Sequence, residues 1–518
     1  MDKEKARSKE MTRRSFLKMF GSMGLVGAAG ATLTGCSKDP MGGEGWLPQQ
    51  YQAAGPSYPA QVRGRIPIDP MNPSITRDDE KCILCGQCLE VCENVQTVFG
   101  YYELPIKDEI ICVNCGQCSL WCPTAAITEK DDTAKVLEAI NDPETVVVVQ
   151  TAPATRVGLG EEFGLPAGAW VEGKQVAALK KLGFDYVFDT NFTADLTIME
   201  EGTELIQRIK GVNKAPLPQF TSCSPGWVKF FEYYYPDLIP NMSSAKSPQQ
   251  MLGTLIKTYF AEEKKIEPKK IFSVSIMPCT AKKFECSRPE MNSAGEHNGD
   301  ETMRDVDVVL TVRELARMIK KAEIDLNKLS DKKYDTLMGV GSGAGLIFGA
   351  TGGVMEAAVR TAYFVLTDGQ DVPAGLLNLQ PVRGLEGVKD ASLDIPGVGT
   401  VKIAVAHGLK NARTLMDQVR SGESPYHFIE LMCCPGGCIS GGGQPRTALP
   451  PSDEVRKKRI ASLYEKDSSY KLRLSHENPE VIQIYEKFLH EPISHLAHEL
   501  LHTEYTDRGD KLNAKKQV

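Results

Sequence analysis

Apolar residues along this chain fall into two rhythms. Continuous β-rich runs at Thr145 to Gln150, Ile271 to Met277, Val308 to Thr311, Lys402 to Ala406 and Tyr426 to Met432 predict buried strands. Between them, stretches such as Leu252 to Glu263 and Val312 to Ala322 carry the helical period. Alternating strands and helices over residues 140–448 predict an α/β domain, its sheets covered by helices. Residues 37–75 lack either rhythm and carry a scatter of prolines and glycines, which predicts a flexible tether.

The length of 518 residues predicts three or four domains. Hydrophobic residues at 42% and charged residues at 25% suit a folded globular chain, and no clean apolar run of about 18 residues reads as a membrane span. A net charge of -7 gives no electrostatic footprint for nucleic acid.

The first 36 residues read as an address. Thr12-Arg13-Arg14-Ser15-Phe16-Leu17-Lys18 resembles a twin-arginine export signal, and Leu33-Thr34-Gly35-Cys36 resembles a lipobox in which Cys36 would be lipidated. Cleavage without lipidation is the other reading of that stretch. Together they predict export by the Tat translocase and a lipid anchor on the periplasmic or extracytoplasmic membrane face. The Tat route carries folded proteins, which suits a metal cofactor assembled in the reducing cytosol.

Fifteen cysteines are too many for a long chain of ordinary composition, and eight of them fall in two runs within residues 76–135. Cys82-x2-Cys85-x2-Cys88-x3-Cys92 and Cys112-x2-Cys115-x2-Cys118-x3-Cys122-Pro123 match the bacterial two-cluster ferredoxin pattern. Three thiolates on a tight loop cap three corners of a 4Fe-4S cube, and the fourth cysteine, opening a following helix, reaches the other cube. Cluster one would take Cys82, Cys85, Cys88 and Cys122; cluster two would take Cys112, Cys115, Cys118 and Cys92. Paired CxxC units also make zinc ribbons, but the third and fourth cysteines of each run favour the cubes. Such cubes only carry electrons, so a centre that uses them is expected downstream.

Two predicted strands run directly into thiols, Ile276-Met277-Pro278-Cys279 and Leu431-Met432-Cys433-Cys434, and ligands of open α/β sheets gather at strand carboxyl ends. Three segments then closely resemble the signatures of FeFe hydrogenases: Thr221-Ser222-Cys223-Ser224-Pro225-Gly226-Trp227; Met277 to Glu285; and Glu430 to Cys438 with Gly441-Gly442-Gly443-Gln444-Pro445. The resemblance spans about residues 76 to 505. It implies an α/β catalytic domain preceded by a ferredoxin-like α+β domain, with residues 449–518 forming a helical belt like the small subunit of two-chain periplasmic enzymes.

The resemblance implies an H-cluster, a 4Fe-4S cube joined through a cysteine to a two-iron unit carrying CO, cyanide and a dithiolate. Cys279, Cys434 and Cys438 become its ligands, Cys438 the bridge. Lys282 would donate to a cyanide, and Met277 and Met432 would pack around the two irons. A proton relay would run through Glu201, Glu204 and Ser243. Without the resemblance, the two glutamates read as an ordinary helical face and the methionines as core. The family usually has two adjacent cysteines where this chain has Cys223-Ser224. Gapless alignment places Cys223 at the proton relay and Ser224 at the ligand. Either Ser224 ligates through oxygen, which soft iron tolerates poorly, or Cys223 ligates, and Cys433, where the family often has alanine, offers a compensating thiol. The expectation carried forward has Cys223 pointing into the cluster cavity as ligand or relay.

The implied activity is reversible interconversion of H2 with two protons and two electrons. Its partners would be maturation proteins and a redox protein such as a cytochrome or an exported dehydrogenase; nothing reads as a nicotinamide or flavin site. The competing reading is an iron-sulfur assembly, electron-transfer or sensory protein sharing the fold, which Ser224 favours. Gly339-x-Gly341-x-Gly343-x-Gly345 lacks dinucleotide spacing and reads as domain wall. Cys286 reads as a buried small residue, and His495, His498 and His502 as structural histidines.

Overall fold

The computed structural model describes residues 64–98 and 110–512. The twin-arginine stretch, Cys36 and residues 37–63 of the expected tether lie outside the described residues.

Two four-stranded sheets form the catalytic region. The first has the order β4-β3-β6-β7, from β3 (Val146–Thr151), β4 (Tyr186–Asp189), β6 (Ile271–Met277) and β7 (Val308–Thr311), all parallel. The second has the order β5-β10-β9-β8, from β5 (Gln219–Phe220), β8 (Val388–Ile395), β9 (Gly399–His407) and β10 (Phe428–Met432). Here β5, β10 and β9 are parallel and β8 closes the edge antiparallel to β9.

Continuous apolar runs make these strands because both faces are covered. In β3, Val147 and Val149 join a core with Val187, Val274, Ile276, Val308 and Leu310, while Val148 faces Phe188 and the opposite core. Fully burying such side chains contributes about 1.5–3 kcal/mol each. In the second sheet Ile429 and Leu431 face one core, and Phe428 and Met432 the other. All five expected strands are present within a few residues of their expected ends.

Three departures have physical causes. The helix expected at Leu252 to Glu263 starts earlier, at Pro248, where the Ser247 side chain accepts from Gln250 N, and it breaks at Thr258 into Pro248–Lys257 and Tyr259–Lys264. The expected tether ends early: Ile66 and Ser74 are buried, Ile66 N donates to Cys88 Sγ at 3.3 Å, and β1 (Ile75–Arg77) pairs antiparallel with β2 (Ile127–Glu129). Residues 64–75 therefore belong to the cysteine-bearing lobe. The boundary at residue 135 is also crossed, because Val136 and Ala139 of the helix Thr133–Asn141 are buried in the core of the first sheet.

The C-terminal residues form the helices Asp453–Ser469, Pro479–Ile484 and His495–Leu501, laid over both halves of the domain. Ion pairs hold them: Arg360, fully buried, binds Asp467 at 2.8 Å and Glu356 at 2.6 Å. Edge pairing adds to this, with Lys246 N donating to Leu501 O and Thr503 N to Ser244 O, both at 2.8 Å. The glycine run is wall, as expected. A Cβ on Gly341 would meet Asn191 Cβ at 2.2 Å and one on Gly343 would meet Asp467 Oδ1 at 2.1 Å, so these glycines permit close packing.

Candidate active site

Around the first cysteine run, Cys82, Cys85, Cys88 and Cys122 line one cavity of about 310 Å³. The run's fourth member, Cys92, sits instead near Cys112, Cys115 and Cys118. The exchange of fourth cysteines between runs follows from local geometry. Gly86 (φ 76°) and Gly116 (φ 67°) take the left-handed conformation that turns each loop into a helix of four residues, Gln87–Glu90 and Gln117–Leu120. The third cysteine rides in that helix; Cys92 then lies in the first turn of the following helical segment Val91–Val95, as expected, whereas Cys122 follows its helix and opens none, which corrects the expectation for the second run. Amide donors meet the sulfurs, Asn72 Nδ2 at 3.6 Å and Asn114 N at 3.4 Å from Cys112 Sγ, as anionic thiolates require.

The second loop is pressed onto the catalytic signatures. Gln117 Nε2 donates to Ser440 O at 2.9 Å, Thr280 Oγ1 donates to Asn114 O at 2.7 Å, and a Cβ on Gly116 would lie 2.3 Å from Thr280 Oγ1. No larger residue fits there. Behind this contact lies a cavity of about 380 Å³ whose lining includes Cys223, Cys279, Cys433, Cys434, Cys438 and, from the ferredoxin loop, Cys115.

The carboxyl ends of three strands, β6 of the first sheet and the parallel pair β5 and β10 of the second, build this cavity. β6 delivers Cys279, β10 delivers Cys433 and Cys434, and β5 leads into Thr221–Gly226, which opens the helix Pro225–Tyr234. Thr221 N donates to Ile429 O at 3.1 Å and Leu431 N donates to Thr221 Oγ1 at 3.1 Å, fixing that loop against β10. Burial pushes the Cys438 thiol up to about 12, and its neighbours Cys434 and Glu430 add to the rise. Protein alone does not favour a thiolate there; a cation would.

Lys282 lines the cavity with its ammonium 3.2 Å from Cys223 O and 3.0 Å from Glu285 Oε2. Met432 also lines it. Met277 is not among the lining residues; it packs with Ala152, Val306, Val309 and Cys286. Cys286 donates to Lys283 O at 3.2 Å, in keeping with a small buried residue.

Beside Cys223 lie buried acids. Glu201 and Glu204, on the helix Thr190–Ile209, are 1% and 4% exposed, so they are not an ordinary solvated face. Ser222 N donates to Glu201 Oε1 at 3.3 Å, while Glu201 Oε2 is buried with no hydrogen-bond partner. Burial, and then the negative charge of Glu204, push the Glu201 carboxyl up to about 8. Ser243 Oγ donates to Glu204 Oε2 at 2.8 Å and Arg208 Nη2 donates to Glu204 Oε1 at 2.5 Å. Cys223 neighbours Glu201, Cys438 and Lys282, and burial pushes its thiol well up. The structure thus brings Cys223, Glu201, Ser243 and Glu204 into one series.

Sequence reasoning missed Arg208, Glu285 and Glu200. Arg208 was legible as the i+4 partner of Glu204, and Glu285 as the i+3 partner of Lys282. Glu200 had no such signal: it accepts from His502 Nε2 at 3.0 Å across some three hundred residues, while His502 Nδ1 meets Ser244 Oγ at 2.8 Å. His502 is thereby a structural histidine.

The donor set fits an iron-sulfur centre: several soft thiols at one cavity, a facing ammonium for an anionic ligand, and an acid with an unpartnered oxygen.

Comparison with known proteins agrees. Residues 145–442 match the family model described as iron only hydrogenase large subunit, C-terminal domain, and residues 453–508 match iron hydrogenase small subunit. The NADP-reducing hydrogenase subunit HndD of Solidesulfovibrio fructosivorans is 47% identical over 84% of this chain and 75% of its own length. The periplasmic [Fe] hydrogenase large subunit of Nitratidesulfovibrio vulgaris is 48% identical over 75% of this chain and 89% of its own. Among solved structures, a variant of the [FeFe]-hydrogenase HydA1 from Chlamydomonas reinhardtii matches with TM-score 0.65 and 43% identity, covering 73% of this chain and 99% of that one. A cytosolic Fe-S cluster assembly factor of Xenopus tropicalis is more distant, at 33% over 70% of this chain. With both family models matched in order around this thiol cavity, the chain belongs to the FeFe hydrogenases and is an oxidoreductase acting on hydrogen.

Proposed function

We propose that this hydrogenase is an exported enzyme in which electrons pass through two ferredoxin-type 4Fe-4S clusters to a catalytic centre held by Cys279, Cys434 and Cys438. When bound, the H-cluster supplies the heterolytic making and breaking of H2. The carrying observation is that Cys115 of the second ferredoxin run lines the same cavity as the catalytic thiols. A cluster held by Cys92, Cys112, Cys115 and Cys118 would abut that cavity. One held by Cys82, Cys85, Cys88 and Cys122 lies nearer the surface, with Ile83 and Leu84 exposed beside it.

The chain's residues divide the remaining work. Lys282, its side chain fixed by Glu285, would present its ammonium to the anionic ligands of the two-iron unit. Met432 supplies an apolar wall. Cys223 exchanges a proton with Glu201, and Ser243 passes it to Glu204, which Arg208 holds in place.

The exposed apolar edge at cluster one supports a redox protein as electron partner, a cytochrome or an exported dehydrogenase. Arg13, Arg14 and Cys36 support Tat export and a lipid anchor on the periplasmic or extracytoplasmic membrane face. The periplasmic name of one relative agrees with that placement. The test is infrared spectroscopy of protein produced with its maturation proteins, with H2 uptake assayed on the same sample. Bands of iron-bound CO and cyanide together with H2-dependent dye reduction are expected; their absence after competent maturation refutes the reading. Changing Arg13 and Arg14 to Lys should trap active enzyme in the cytoplasm.

A further inference from the structure

The catalytic cube needs four protein donors, and Cys279, Cys434 and Cys438 supply three. Three side chains in the cavity lining compete for the fourth place: Cys223, Ser224 and Cys433. Their surroundings separate them.

Cys223 belongs to the acid side. It packs with Met432 and Cys438 on one face of the second sheet and has Glu201 and Lys282 as charged neighbours. Cys433 belongs to the opposite side. It is 3% exposed and packs in one cluster with Cys434 and Cys115. Successive residues of a strand point to opposite faces, but β10 ends at Met432, and beyond it Cys433 and Cys434 share one cluster and one cavity lining. Both thiols line the cavity, so each can reach its own iron of one cube once the two sulfurs part.

Cys433 is held in place from three directions. Its N–H donates to Ser224 Oγ at 3.2 Å, Gln96 Nε2 approaches its Sγ at 3.9 Å, and a Cβ on Gly226 would lie 2.8 Å from that Sγ. Gly226 therefore leaves the space that the sulfur occupies. Ser224 caps no amide of the helix it precedes, so its hydroxyl is engaged with Cys433. A hydroxyl ligand would also have to lose a proton held far more tightly than a thiol's, for a donor that iron-sulfur clusters favour less.

We propose that Cys433 is the fourth thiolate of the catalytic cube, that Ser224 is the positioning residue that holds it, and that Cys223 is left free as the proton-exchanging thiol. On ligation the Cys433 S–H bond breaks, an S–Fe bond forms and the proton leaves to solvent, with no change of oxidation state. This rests on the catalytic-centre reading above, so the test is read before the two-iron unit is inserted.

The full chain is produced without maturation proteins, reconstituted with iron and sulfide, and its iron counted alongside its electron paramagnetic resonance spectrum. Three cubes predict about twelve irons per chain. Cys433→Ala should lose about four of them and the signal of the catalytic cube. Cys223→Ala and Ser224→Ala should each keep about twelve. Adding Ser224→Cys to Cys433→Ala should restore the missing four, because that side chain contacts Cys433 and can offer sulfur to the same iron; restoration also excludes misfolding as the cause of the loss. An unchanged count in Cys433→Ala overturns the proposal, as does loss of the cube in Cys223→Ala or Ser224→Ala. A Cys433→Ala loss that Ser224→Cys leaves unrestored overturns it too. Infrared bands after maturation, read separately on the wild-type protein, decide the catalytic-centre reading whatever the iron count shows.

Discussion

Glu201→Gln tests the proton side of the site most directly. Glu201 is 1% exposed, accepts a hydrogen bond from Ser222 N at 3.3 Å, and has its second oxygen buried without a partner. Burial first, and then the charge of Glu204, raise its carboxyl from 4.5 to about 8. At neutral pH the protonated form therefore outnumbers the carboxylate by about ten to one, so the group can both give and take a proton there. The same shift links stability to pH. The folded protein holds a proton that the unfolded chain releases above pH 4.5, so the contribution is full below 4.5. It declines as pH rises to about 8, in total on the order of 5 kcal/mol at about 1.4 kcal/mol for each factor of ten. Glutamine keeps the shape and carries no exchangeable acid proton. It should flatten that slope and cut turnover on the order of a hundredfold or more, with the infrared CO and cyanide bands unchanged. The assay is the carboxylic C=O band in the infrared difference between wild type and variant, titrated from about pH 6 to about pH 10. It should vanish with a midpoint near 8, and proton reduction should decline through the same midpoint while H2 oxidation gains. A carboxylate already ionised at about pH 6 refutes the burial argument, and wild-type turnover in the variant removes Glu201 from the path.

Two further outcomes follow from other parts of the molecule. Cys85→Ala should remove about four irons and slow dye reduction while leaving the catalytic infrared bands, and unchanged iron would reopen the zinc reading of the first run. Asp467→Ala strips Arg360 and Arg473 of their shared carboxylate in a buried network, so it should cost about 3–5 kcal/mol and free the C-terminal helices to proteolysis before the catalytic core; equal protease resistance would show that these ion pairs do not hold the belt.

Much of this architecture was legible in the chain because its signals are local. Cysteine spacing reports loop geometry directly, and the runs ending at Met277 and Met432 carry both strand character and the thiols that follow. What escaped is non-local or short. β5 is two residues long and is recruited by pairing with β10. β8 alternates buried Leu393 and Ile395 with exposed Asp390 and Asp394, an edge strand whose charges mask its period. Nothing in Val136 or Ala139 said that their helix would leave the ferredoxin lobe for the first sheet. In the site, the thiols were visible but their sides were not. Whether Cys223 or Cys433 faces the ferredoxin cluster depends on the pairing of β5 with β10, and no spacing rule contains it.

That pairing also explains how one short loop serves two particles that must arrive separately. Within Thr221–Gly226, Ser222 N–H turns toward Glu201 and Ser222 Oγ donates to Ala245 O at 2.6 Å, next to Ser243 and Ser244. Two residues on, Ser224 Oγ takes the N–H of Cys433, and Gly226 leaves the space for its sulfur. Cys223 lies between, with its carbonyl held by Lys282. Strict strand alternation would put Ser222 and Ser224 on one side; the turn into the helix Pro225–Tyr234 instead sends Ser224 to Cys433 while Ser222 stays with the acids. Protons meet Glu201, a buried acid that charges near pH 8, and electrons meet sulfur. The proton side tolerates no sulfur ligand without losing an exchangeable group, and the electron side gains nothing from an acid. The order Ser-Cys-Ser in this loop satisfies both conditions only because β10 supplies the extra thiol at Cys433.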